Sequence, residues 1–234
     1  MPSDSEDDEV KGPKDQRQFK VILLGDGAVG KTSIASRFAN DAFSQSYKQT
    51  IGLDFFIKHV VLPGDVHVAL QLWDIGGQSI SSKMIHNYIF GAHAVLLCYD
   101  ITNYDSFANL EDWYRVVRAT FKNDDMPFVG IIANKCDMSH LRAVKSDVHN
   151  RFADENSCFS FMMSAKSGDQ VKSCFLRVAS VLADVRFTRP ELEVEAQTVV
   201  KATIIEHTQH DTAVHEGQVP EYASKKKDGK CVVC

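Results

Sequence analysis

Residues 25–32, Gly25-Asp26-Gly27-Ala28-Val29-Gly30-Lys31-Thr32, satisfy the pattern G-x-x-x-x-G-K-[ST]. The apolar run FKVILLG (19–25) leads into them as a strand, and Ser33 follows in the first turn of a helix. Binding a polyphosphate needs this arrangement. Glycines let the backbone wrap close to phosphate oxygens, while amide N–H groups at a helix N-terminus point at negative charge. Lys31 reaches the β- and γ-phosphates, and the Thr32 hydroxyl can ligate Mg²⁺. The competing reading is a chance glycine-rich turn, against which the strand–loop–helix context weighs.

A phosphate loop does not select a base, but Asn134-Lys135-Cys136-Asp137 can. The tetrapeptide ends a later apolar run, on the carboxyl edge where open α/β sheets bind ligands. Asp137 can accept hydrogen bonds from the ring N–H and the exocyclic amine of guanine. Adenine lacks both donors and would leave a carboxylate unpaired, so discrimination of roughly 10⁴-fold is expected. Asn134 can bridge the base region to the phosphate loop, and the Lys135 stem can cover the ring. Ser164-Ala165-Lys166 closes the next strand with a backbone N–H for the guanine oxygen. Each motif alone is weak. Their order at the ends of successive strands makes them specific.

The elements that must carry these residues follow from alternation of short apolar runs with longer helical periods. Strands are predicted at 19–25, 55–62, 66–74, 94–100, 128–134 and 159–164, with Pro63-Gly64-Asp65 turning the second into the third as an antiparallel hairpin. Helices are predicted over 106–122, 145–156 and 168–185. Phe107, Leu110, Trp113, Tyr114, Val117 and Phe121 give the first of these one apolar face. The expected fold is α/β: a P-loop NTPase-like domain with a six-stranded, mostly parallel sheet, one antiparallel strand, and helices on both faces. Residues 1–17 read as an acidic disordered extension, 18–188 as the domain, and 189–234 as a variable tail whose 191–207 stretch allows either a docked helix or a strand.

Composition narrows the class. The chain has 234 residues, 44% hydrophobic and 24% charged, which suits one soluble domain with tails. No apolar run reaches the ~18 residues of a membrane span. The acidic start MPSDSEDDEV is neither an export signal nor a transit peptide. Cys98, Cys136, Cys158, Cys174, Cys231 and Cys234 lack a disulfide-framework spacing and are expected as reduced thiols. The net charge of −5 hides a basic stretch, KKKDGK at 225–230. A monomer without a nucleic-acid partner is expected.

Together these residues resemble the Ras-like small GTPases over about residues 18–188. The resemblance implies that GTP and GDP are the ligands and Mg²⁺ the cofactor, held by Thr32, by Thr50 and, through water, by Asp74 of WDIGGQ (73–78). Thr50 would also cap the γ-phosphate; it stands nineteen positions after Lys31, as the family pattern requires. Phe43 falls where an aromatic packs edge-on against guanine, with a plain core phenylalanine as the alternative. WDIGGQ is spelled as in Arf-type members. The start Met1-Pro2, the SAK loop, IGLDFF (51–56) and the aromatic set Phe55, Trp73 and Tyr88 are instead similar to the Rab branch. On that reading Ile51, Gly52, Phe55, Trp73 and Tyr88 form an effector surface. The chain resembles an unusual Rab, because SISSKM (79–84) stands where a charged-aromatic sequence is usual, and Ala28 stands where many relatives have glycine.

The same resemblance implies a slow GTP hydrolase. Gln78 would orient the attacking water while Lys31 and the loop amides absorb charge, with turnover on the order of 10⁻⁴ to 10⁻³ per second until an activating protein intervenes. Thr50 and the Gly77 amide would sense the γ-phosphate and order two loops. Exchange factors, activating proteins, effectors and an escort or dissociation-inhibitor-type chaperone are the implied partners. Cys231-Val232-Val233-Cys234 fits a prenylation motif, with Cys231 or both cysteines lipidated; a zinc half-site is the competitor. One lipid anchors marginally, and the nearby lysines add roughly 1 kcal/mol each at an anionic leaflet. Cytosolic and cytoplasmic-face membrane locations are expected, whether endosomal, plasma-membrane or ciliary. A nucleotide-bound scaffold that scarcely hydrolyses and a Ras-type signalling switch are the rival readings.

Overall fold

The computed structural model describes residues 16–121 and 126–186. The acidic extension to residue 15, the tail from 187 and the Cys231 and Cys234 assignments lie outside the described residues.

Six strands form one sheet in the order β2-β3-β1-β4-β5-β6. They are β1 (Arg17–Leu24), β2 (Leu53–Leu62), β3 (Val66–Ile75), β4 (Ala94–Asp100), β5 (Phe128–Asn134) and β6 (Phe159–Met162). All neighbours run parallel except β2 and β3, a hairpin in register from Leu53–Ile75 to Leu62–Val66. Gly64 and Asp65 turn it with φ of 80° and 60°. Helices α1 (Lys31–Asn40) and α6 (Val171–Leu182) cover one face; α2 (Ile85–Ile89), α3 (Tyr104–Ala108), α4 (Leu110–Thr120) and α5 (Ser146–Glu155) cover the other. Short 3-10 turns occupy Gly77–Ser81 and Cys136–Leu141.

Burial on both faces explains why the central strands read as unbroken apolar runs. Along β1, Val21 and Leu23 enter the core under α1 and α6, whereas Ile22 and Leu24 enter the opposite core. Along β4, Ala94, Leu96 and Cys98 alternate with Val95, Leu97 and Tyr99 in the same way. Each buried Val, Leu or Ile among them contributes roughly 1.5–3 kcal/mol of burial. The chain leaves β1 toward β3 on one side and reaches β4 on the other. That reversal opens a crevice at the strands' carboxyl ends.

The expected 106–122 helix is two helices. Asn103 caps α3 by accepting from the Asp105 and Ser106 amides at 3.0 and 3.4 Å, and the chain breaks at Asn109 before α4 begins. Asn109 keeps right-handed helical dihedrals, donating to Asp105 O at 2.9 Å and accepting from Trp113 N at 3.2 Å, so the apolar face carries across and Phe107, Leu110, Trp113, Tyr114 and Val117 all stay buried. The last strand also ends sooner than 164, because Ser164 already accepts from Gly168 in a turn.

His149 on α5 has no exposed surface and sits between the Tyr99 hydroxyl (3.1 Å) and the Ser160 hydroxyl (2.8 Å). Burial first, then the Arg142 charge, pushes its pKa down to about 4. The unfolded chain binds a proton near pH 6.5 and the folded one does not, so stability present above that pH is lost as pH falls toward 4. Chemical denaturation at pH 7 and pH 5 should show a loss of roughly 2 kcal/mol from this group. In His149→Asn that increment of pH dependence should vanish; an unchanged slope would refute the assignment.

Candidate functional site

The loop Gly25–Gly30 leaves β1 and enters α1 without a side-chain cap and without an acidic residue in the helix's first turn. The first-turn amides are thus left to an external acceptor, and the helix dipole favours an anion there. Lys31 is 6% exposed and donates from Nζ to the carbonyls of Gly25 (2.7 Å) and Asp26 (2.6 Å). Burial lowers its pKa, opposed by negative neighbours that include Asp74 and Asp26. A buried ammonium held against two carbonyls is prepared for a more negative ligand.

Next to it, Thr32, Thr50 and Asp74 converge from α1, from the loop before β2 and from β3. The Thr32 hydroxyl donates to Asp74 Oδ2 and lies 2.8 Å from the Thr50 hydroxyl, which is 3.4 Å from the same Oδ2. Asp74 has no exposed surface, and its Oδ1 is buried without a hydrogen-bond partner. Burial raises the Asp74 pKa, opposed by the Thr32 bond and the Lys31 charge. An orphaned carboxylate oxygen beside two hydroxyls fits a hard cation that takes oxygen ligands and keeps waters, as Mg²⁺ does. Among the described residues no three His, Cys, Asp or Glu side chains gather into a metal site. The donor set therefore suits neither zinc nor a soft metal.

The two loops meet across this point. The Gly76 N–H donates to Gly52 O at 2.9 Å, joining the segment after β3 to the segment before β2. Gly77 lies directly on the phosphate loop, where a Cβ would stand 2.2 Å from the Gly27 nitrogen. A Cβ on Gly27 would come within about 4.0 Å of Gln78 Nε2 and 3.9 Å of the Tyr47 hydroxyl. Gln78 therefore hangs over the loop. Tyr47 does so as well, and nothing in its sequence neighbourhood marked it. Ala28 adopts a left-handed φ of 61°, a conformation that glycine reaches at lower cost.

At the other end of the cleft, Asn134 is 1% exposed and makes the anticipated bridge. Its Nδ2 donates to Val29 O at 2.8 Å and its Oδ1 accepts from Ala165 N at 3.1 Å. Of the backbone N–H groups in the 164–166 stretch, that of Ala165 is thus engaged within the protein. Asp137 accepts from the Ser164 hydroxyl at 2.6 Å, which orients its carboxylate. Lys135 takes a left-handed φ of 67° and its Nζ pairs with Asp100 Oδ2 at 2.6 Å, pulling the stem taut along the cleft. Asp100 was missed in the sequence; the available signal was an aspartate ending an apolar strand. Phe43 is partly buried against the core and also lines the cavity. The cavity has a volume of about 430 Å³ and runs from Thr32 and Gln78 to Asp137 and Lys166.

The aromatic set lies outside this cavity. Phe55 and Trp73 meet edge-to-face at 5.7 Å, directly cross-strand, and Tyr88 packs on the same core layer as Trp73. Ile51 is 91% exposed between Thr50 and Gly52.

Gly30 has φ of 96°, and a Cβ there would lie 2.4 Å from Asn134 Nδ2. Gly30→Ala should sever the Asn134–Val29 bridge and weaken nucleotide binding at least about 100-fold by equilibrium titration, since strain and a lost buried hydrogen bond add. Wild-type affinity in that variant would contradict the bridge's importance.

Comparison with known proteins agrees with this geometry. The family model described as Ras family matches residues 20–184. The chain is 38% identical to the Ras-related protein Rab-28 of Caenorhabditis elegans over 214 residues, covering 91% of this chain and 86% of that protein. It is 36% identical to Ras-related protein Rab-3 of the same organism, covering 71% and 74%. It is 37% identical to Ras-related protein Rab-10 of Diplobatis ommata, covering 75% and 86%. The sheet order, the phosphate loop and these similarities agree: the chain belongs to the Ras family, among the Rab-type small GTPases.

Proposed function

We propose that this protein is a guanine-nucleotide switch that hydrolyses GTP slowly, with residues 18–188 as the GTPase domain and the remaining tail as its membrane address. One observation carries the reading: Thr32, Thr50 and Asp74 converge beside Lys31, with a buried Asp74 oxygen left for a cation. Mg²⁺, when bound, screens the phosphate charge that must shift toward the leaving group. Thr32 and Thr50 would hold it directly and Asp74 through water.

The chain's own groups do the rest. The amides of residues 25–33 and the Lys31 ammonium bind the β- and γ-phosphates and stabilise developing charge. Gln78, overhanging Gly27, orients the attacking water. Thr50 and the Gly77 amide register the γ-phosphate; because Gly76 N bonds Gly52 O, both loops respond together. After hydrolysis that tie to the phosphate is gone and the loops relax. Asp137, aligned by Ser164, reads guanine; Asn134 couples base to phosphate; the Lys135 stem, Phe43, Ala165 and Lys166 line the base end.

Ordered loops would present Ile51, Gly52, Phe55, Trp73 and Tyr88 to effectors in membrane trafficking. Exchange factors, activating proteins and a lipid-shielding chaperone of the escort or dissociation-inhibitor type are the matching partners. SISSKM, lacking the charges usual in that loop, would select among them. The rival, a nucleotide-bound scaffold, is disfavoured because Lys31, Thr32, Thr50, Asp74 and Gln78 are all placed around one cleft.

Gln78→Leu should slow single-turnover GTP hydrolysis at least about tenfold while leaving GTP affinity within about twofold. Equal hydrolysis rates would remove Gln78 from the mechanism and favour the scaffold. The membrane address is tested by intact mass of the protein from eukaryotic cells. One or two prenyl additions near Cys231 and Cys234 are expected, and an unmodified mass would exclude lipid anchoring.

A further inference from the structure

The segment Gly25-Asp26-Gly27 supplies both carbonyls that hold Lys31, yet its flanking residues are glycines and cannot fix a peptide plane through side chains. The central aspartate is the single side chain there, and it points away from the cleft toward α4. Its Oδ1 accepts from Trp113 Nε1 at 2.9 Å and its Oδ2 from Asn109 Nδ2 at 2.7 Å. Both donors are themselves firmly placed. Trp113 is fully buried, and the Asn109 N–H donates to Asp105 O at 2.9 Å while its carbonyl accepts from the Asp112 and Trp113 amides at 3.1 and 3.2 Å. None of these contacts belongs to nucleotide recognition.

We propose that Asp26 is a positioning residue: clamped by Trp113 and Asn109, its side chain fixes the Asp26 carbonyl, which in turn aims Lys31 at the phosphates. This rests on the proposed nucleotide reading of the cleft. The side-chain contacts fix the frame at the Asp26 α-carbon and so the position of its carbonyl carbon, which narrows the directions its carbonyl oxygen can take toward Lys31. Without the clamp, the peptide between Asp26 and Gly27 is free to turn, because Gly27 tolerates either orientation. Asn109 stands at the junction of α3 and α4, and from there its side-chain amide meets this carboxylate.

The test is release of a fluorescent GDP analogue from Mg²⁺-loaded full-length protein, with single-turnover GTP hydrolysis and melting temperature measured in parallel. Asp26→Ala should release GDP about tenfold faster, the loss expected for a charged hydrogen-bond pair acting through Lys31. Asp26→Asn should accelerate release less than Asp26→Ala, because the exposed Asn109 amide can flip and accept from the new Nδ2. Asn109→Asp sets two carboxylates face to face and should exceed Asn109→Ala in effect. The double variant Asp26→Asn with Asn109→Asp restores a donor–acceptor pair and should return release toward wild type. In a Lys31→Ala background, Asp26→Ala should add no further acceleration.

Wild-type release from Asp26→Ala would overturn the proposal. So would an Asn109→Asp defect that persists in the Asp26→Asn background, or fully additive effects with Lys31→Ala. If variants lower the melting temperature without changing release, the clamp is structural only and the positioning role is wrong. Failure of the wild-type protein to bind guanine nucleotide would instead sink the functional reading itself.

Discussion

A backbone that must wrap a polyanion while three other segments press against it has no room for side chains at the points of contact. That constraint organises the whole cleft. A Cβ would stand 2.1 Å from Cys98 O at Gly25, 2.4 Å from Asn134 Nδ2 at Gly30 and 2.2 Å from Gly27 N at Gly77. These positions belong to three separate junctions: loop against β4, loop against the base-side bridge, and loop against the segment after β3. Each junction closes because one partner lacks a side chain. Methyl groups there would push apart elements that the core otherwise holds in contact, and interiors at native density do not absorb such shifts.

Charge is the second layer of the same design. Lys31 and Asp74 are buried near each other, and burial disfavours the charged form of both. Neither is paired as a simple salt bridge. Lys31 is held by carbonyls, and Asp74 by hydroxyls on one oxygen with nothing on the other. An apolar replacement would pack more cheaply, so the arrangement makes physical sense only with ligands that complete it. Hydrogen bonds that are left open in a folded interior point to what the site receives.

The surface follows from the interior through short links. The Gly76–Gly52 backbone bond joins the two loops that flank Asp74, and those loops run straight into β2 and β3, where Phe55 and Trp73 sit cross-strand. Whatever orders the loops at the phosphate end thus acts on the strands that display the aromatic pair. On the opposite side, α4 reaches the phosphate loop through Trp113 and Asn109 and reaches α2 through the His86–Thr120 contact at 2.7 Å. The phosphate loop, the loops that meet it and the helices share one mechanical frame.

Local chemistry alone determined a great deal here. The glycine-rich strand-to-helix loop, the tetrapeptide that ends β5 and the hairpin turn were legible because each depends on residue types at fixed short spacing. The buried strands were legible because apolar runs bounded by turn residues have few alternatives. Other features required tertiary structure. The break at Asn109 was hidden because the apolar face of α3 and α4 continues across it. The use of the Ala165 N–H by Asn134 depends on two strand ends meeting. Asp100 holding Lys135, Tyr47 over Gly27 and the Asp26 carboxylate between Trp113 and Asn109 join residues far apart in the chain. Sequence spacing encodes what a backbone does over a few residues; which distant polar groups satisfy one another is decided only when the sheet and its helices bring them together.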